Sequence, residues 1–98
     1  MATFFGDDMA PYIDDVIDCT CKIRTFDPSK SESHEYVWHR DERDREVTIL
    51  EGSGWKIQFD NELPQNINTN DTFFIPKMVY HRIIPGKTML RIKIDEKL

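Results

Sequence analysis

Residues 45–59, "REVTILEGSGWKIQF", alternate between apolar and polar side chains on both sides of a glycine-rich break. Val47 and Ile49 interleave with Glu46 and Thr48, and Trp55, Ile57 and Phe59 interleave with Lys56 and Gln58. Successive side chains of a strand point to opposite faces, so the pattern describes two half-buried strands. "EGSG" (51–54) is a tight-turn signal, and the two strands are expected to pair as a hairpin. Parity puts Arg45 on the inward face with Val47 and Ile49, and Glu46 outward; a bulge near Asp44 would exchange them.

The same reading extends in both directions. "VIDCTCKIRTF" (16–26) sets Ile17, Cys19, Cys21 and Ile23 against Asp18, Thr20, Lys22 and Arg24, which predicts one strand with the first four inward. "DPSKSES" (27–33) breaks it with turn residues, and His34 is expected at an exposed strand edge. "EYVWH" (35–39) predicts a strand with Val37 and His39 on one face and Tyr36 and Trp38 on the other. After a polar connection (60–71) come "TFFIP" (72–76), "VYHRII" (79–84), a turn at "PGK" (85–87) and "MLRIKI" (89–94). Leu90, Ile92 and Ile94 are expected inside, with Arg91 and Lys93 in water. Segment 1–14 reads as an N-terminal extension or edge strand, limited to an edge by Pro11, and 15–98 as a single domain. Short strands separated by turns make the fold class all-β, an antiparallel sandwich or barrel.

A chain of 98 residues holds one domain and one core. The formal charge of -5 offers no basic field for a phosphate backbone, so no nucleic-acid partner is expected. No apolar run approaches the ~18–20 residues that span a bilayer, and "MATFFGDDMAPYIDD" is acidic where a secretory signal is basic and then apolar. No membrane partner is expected, and the expected location is cytoplasmic. Cys19 and Cys21 are too close along a strand for a mutual disulfide and are expected as small core residues. No nucleophile with a partnered base can be picked out.

"NDTFFIPKMVYHRIIPG" (70–86) and the stretch from Ser33 to Gly52 resemble the two motifs of a small single-domain cupin. In the second motif, Pro76 and His81 match; Asn70 and Met78 stand where the family has glycine, and Pro85 where it has asparagine. In the first, His39 matches the first histidine, Asp41 replaces the second, Gly52 closes the motif, and either Arg45 or Glu46 takes the place of the glutamate. The resemblance implies a double-stranded β-helix, the jelly-roll or cupin barrel. The seven consecutive charged residues Arg40–Glu46 would then form a loop over its mouth, with Glu42, Arg43 and Asp44 solvated.

By the same resemblance His39, Asp41 and His81 are candidate ligands of a divalent metal, with Glu46 as an alternative fourth. Two histidines and a carboxylate suit Fe, Mn, Ni or Zn and leave coordination positions open; no organic cofactor is implied. An inward Arg45 opposes a cation and suits instead the capture of an anionic small molecule, which Arg45, His39, His81 and Tyr80 would recognise together. The expected function is therefore a metal-binding cupin acting on, or binding, a small organic acid or sugar derivative. Its alternatives are a metal-free module for an anionic ligand and a structural dimeric barrel, and whether the protein is an enzyme stays open. His39, Asp41, His81 and Arg91 also fit the spacing of 2-oxoglutarate oxygenases, but parity turns Arg91 to solvent. The resemblance further implies a homodimer, with Tyr36 and Trp38 on the outer face among its contacts.

Overall fold

In the computed structural model, which describes residues 12–29 and 36–98, eight strands follow one another. They are β1 (Tyr12–Val16), β2 (Cys21–Phe26), β3 (Arg45–Glu51), β4 (Lys56–Phe59), β5 (Gln65–Asn66), β6 (Thr72–Ile75), β7 (His81–Ile84) and β8 (Leu90–Glu96). They build two antiparallel sheets, ordered β1-β2-β8-β3-β6 and β5-β4-β7. The all-β expectation holds. No helix of the described residues is long and apolar enough to cross a membrane.

Cross-strand partners share a face, so the register states which residues meet inside. In the larger sheet Val47 pairs with Ile94 and Phe73, Ile49 with Ile92, and Phe26 with Leu90. In the smaller sheet Ile57 pairs with Ile83, and Phe59 with His81. These inward sets join Trp55, Tyr36, Ile67 and Ile75 in one hydrophobic cluster. Each fully buried aliphatic side chain contributes about 1.5–3 kcal/mol. Phe26, Tyr36 and Trp55 pack with ring centroids 5.9–6.1 Å apart at the Leu90 end, and the Trp55 indole N–H donates to the Thr88 carbonyl at 2.8 Å.

Four expectations fail, each for a local reason. The strand at 16–26 is two strands, because the Asp18 carboxylate accepts from the Thr20 and Cys21 amides at 2.8 and 2.9 Å and reverses the chain. The alternation of 17–23 thus runs across a turn: Ile17 and Cys19 are exposed, and β2 faces the core with Phe26 and Arg24. Cys21 is buried, on the opposite face from Phe26. Arg24, only 4% exposed, is held bidentately by Asp14 at 2.7 and 2.9 Å and lies 3.8 Å from the Tyr12 ring centroid.

The hairpin of β3 and β4 does not form, since β3 pairs with β8 and β6, and β4 with β5 and β7. The glycine turn instead carries the chain from one sheet to the other, with Gly54 at φ 79°. Gly86 packs so closely on this turn that a Cβ would run into the Ser53 carbonyl and the Trp55 ring. Of the strand expected at 35–39, residues 36–39 keep a single bridge between His39 and His81; Tyr36 turns into the core, while Val37 and Trp38 are exposed. Within the polar connection, Gln65–Asn66 forms β5 and Ile67 is buried.

β1 lies at an edge of the larger sheet. Residues 1–11 and His34 fall outside the described residues.

Candidate metal centre

The end of the molecule away from Trp55 collects the charged groups. β3 begins there with Arg45, β8 ends there with Glu96, and the two are register partners. β7 begins there with His81, which faces Phe59 across the strand pair. His39 is brought beside His81 by two reciprocal backbone hydrogen bonds, His39 N–H to the His81 carbonyl at 3.0 Å and His81 N–H to the His39 carbonyl at 2.9 Å. The imidazole centroids lie 4.4 Å apart, and the residues are 3% and 1% exposed.

Both rings use Nδ1 in the same way. His39 Nδ1 lies 2.8 Å from the Val37 carbonyl and His81 Nδ1 2.9 Å from the Val79 carbonyl. A carbonyl oxygen only accepts, so each Nδ1 carries a proton, and the nitrogen left to offer a lone pair is Nε2. A backbone carbonyl fixing the remote nitrogen is also how metal-ligating histidines are commonly oriented.

Asp41 completes the group. Its Oδ2 lies 3.3 Å from His81 Nε2 and 3.5 Å from Arg45 Nη1, yet this buried oxygen has no hydrogen-bond partner of good geometry. Burial pushes the Asp41 carboxyl up, but His81, the Arg45 guanidinium and His39 together draw it below the usual carboxylate range. Asp41 is therefore an anion at neutral pH. One donor atom from each of His39, Asp41 and His81 falls within 4.8 Å of the others. A carboxylate oxygen facing an imidazole lone pair at 3.3 Å calls for positive charge between them: a second proton on His81, or a metal ion. The donor set suits a divalent transition metal.

The other candidates separate. Arg45 is turned inward as parity predicted: Nε and Nη2 lie 3.2 and 3.1 Å from Glu96 Oε2. Glu46 pairs with Asp95 and Phe74, and is exposed, which removes it from the group. Tyr80, named with Arg45 for an anionic ligand, is also exposed, its ring centroid 5.2 Å from the Arg40 guanidinium. Arg91 pairs with Thr25 and Glu51, on the opposite face from Ile92. In the charged run, Glu42 and Arg43 are exposed, but Asp44 accepts from the Lys77 amide at 2.7 Å and its carbonyl accepts from Lys97 at 2.8 Å. Glu96 was missed, although the alternation Leu90, Ile92, Ile94 reaches it in the next inward position.

No protein-family model matches the chain, and no curated protein matches it. Solved structures do. A cupin-2 domain protein of Shewanella frigidimarina superposes with a TM-score of 0.64 at 19% identity, over 97% of this chain and 94% of that one. A cupin domain of Bordetella pertussis gives 0.59 at 17% identity, over 89% and 92%. The iron(II) form of HppE gives 0.58 at 11% identity, over 79% of this chain and 41% of the larger protein. With its two antiparallel sheets and these neighbours, the chain carries the cupin fold.

Proposed function

We propose that this protein is a small metal-dependent cupin, its sheets closed as a double-stranded β-helix, in which His39, Asp41 and His81 hold one divalent cation. The reading extends to a small organic acid or sugar derivative as ligand or substrate. One observation carries it: two buried imidazoles with Nδ1 committed to backbone carbonyls, and a half-buried carboxylate, bring their donor atoms within 4.8 Å of one another. When bound, Fe, Mn, Ni or Zn would supply a Lewis acid with open coordination positions. The chain's own part is to orient the donors: the carbonyls of Val37 and Val79 fix the rings, and the Asp41 carbonyl accepts from the Met78 amide at 2.7 Å.

Elemental analysis after loading with Fe(II), Mn(II), Ni(II) or Zn(II) tests the reading. One equivalent of metal is expected in the wild type and none in the His39→Ala/His81→Ala variant. A wild type that takes up none of the four sinks it.

A metal-free anion-binding module is the second reading, favoured by Arg45 at the inner surface. It is the weaker because Glu96 and Asp41 already lie 3.1 and 3.5 Å from that guanidinium.

A further inference from the structure

The inference concerns the ligand of the metal site and rests on that reading. The enclosed space between the sheets amounts to about 20 Å3, bounded by Arg45, His81 and apolar side chains. That is room for roughly one water. On the outside of the same end lies an open depression of about 380 Å3, lined by Arg40, Asp41, Glu42, Arg43, Arg45 and Glu96. Among the described residues, a molecule that meets a metal on Asp41 therefore comes from the charged depression, because the cavity between the sheets is too small for it.

The lining charges balance: three guanidinium groups face three carboxylates. A divalent ion on Asp41 would leave the depression with a surplus of two positive charges. The orientation of Arg45 gives that surplus a direction. Its Nε and Nη2 are both occupied by Glu96 Oε2, whereas Nη1 lies 3.5 Å from the Asp41 oxygen without hydrogen-bond geometry. Nη1 thus has no hydrogen bond to Asp41 to give up, and a metal drawing on that oxygen would loosen the remaining ion pair, so Nη1 is the donor offered to another carboxylate in the depression.

We propose that metal binding turns the depression into a receptor for a small carboxylate, held by Arg45 beside the metal, so that cation and anion bind cooperatively. The ligand class is a short-chain organic acid. Coupling is reciprocal: the acid tightens the metal by the factor with which the metal tightens the acid.

Cobalt(II) and lactate serve as probes with the full chain. Cobalt is titrated into the wild type and followed by visible absorption, with and without lactate, after correction for cobalt–lactate complexes in buffer. Lactate is expected to tighten cobalt by about fivefold or more. Arg45→Gln is expected to bind cobalt with no response to lactate, while Arg91→Gln, on the outer face, responds like wild type. Equal cobalt affinity with and without lactate, or full coupling in Arg45→Gln, overturns the proposal. Should Arg45→Gln fail to fold, carbon NMR of lactate with cobalt-loaded wild type decides: selective broadening of the carboxyl carbon supports it, and uniform broadening overturns it. Failure to bind cobalt at all defeats the metal reading and this inference together; cobalt binding without coupling defeats the inference alone.

Discussion

Met78 sits at φ 64° and is half exposed, at the position where the cupin motif has glycine. A left-handed backbone costs a residue with a Cβ about 1–2 kcal/mol, and glycine avoids that cost. Asn70, at φ 77°, stands at the motif's other glycine, but asparagine tolerates this region well. Met78→Gly is therefore expected to stabilise the protein by about 1 kcal/mol, less than the full strain because glycine also gains entropy in the unfolded chain. Urea unfolding of the two proteins checks this, and an unchanged or lowered midpoint would contradict it. The Met78 amide donates to the Asp41 carbonyl, so the strained residue also ties down the loop that carries a candidate ligand.

At the scale of elements, the turn at Asp18 decides how β1 and β2 meet. Its carboxylate accepts two amides and the Thr20 hydroxyl, and these bonds, the Thr20 amide foremost, lower its pKa from an ordinary 3.8. A carboxylate whose folded pKa is depressed contributes stability above its unfolded pKa, and that contribution is lost as pH falls through the folded value. Asp18→Ala is accordingly expected to be less stable than wild type at neutral pH, with the gap closing below pH 3.8. Paired unfolding curves across that range measure it; a gap independent of pH would refute the assignment. The turn also explains a failure of reading. Alternation identifies a strand only while the strand lasts, and a side chain that captures backbone amides can end it without glycine or proline. Where the chain stayed extended, as in β3, β4 and β8, the inward residues were legible. Which strands pair was not, because the 51–54 turn signal is the same whether the chain folds back or crosses to another sheet.

For the molecule as a whole, the candidate centre joins the 36–41 segment to β7, two regions also linked by the His39–His81 β-bridge and by the Arg82 guanidinium over the Trp38 ring. A ligand that binds only the folded state stabilises it by mass action. Metal at a hundredfold excess over its Kd is expected to add about 2.7 kcal/mol, raising Tm by roughly 10–20 °C in a domain of this size. Differential scanning calorimetry with and without metal tests this; no shift in wild type, or the same shift in the His39→Ala/His81→Ala variant, would count against it. The sequence held His39, Asp41 and His81 through motif spacing, and Arg45 through parity. It did not reveal that Glu96 meets Arg45, since that contact comes from the pairing of β3 with β8, distant in sequence.

The filled interior and the charged depression outside it divide the labour of the chain. Glu42 and Arg43 are exposed, so if the depression holds the ligand as proposed, drift at these positions would change what is recognised at little cost to the fold. On that reading, descendants of such a protein could exchange one ligand for another at the rim while the sheets, the aromatic cluster and the histidine pair stay as they are. Selectivity is thus free to evolve at small cost in stability.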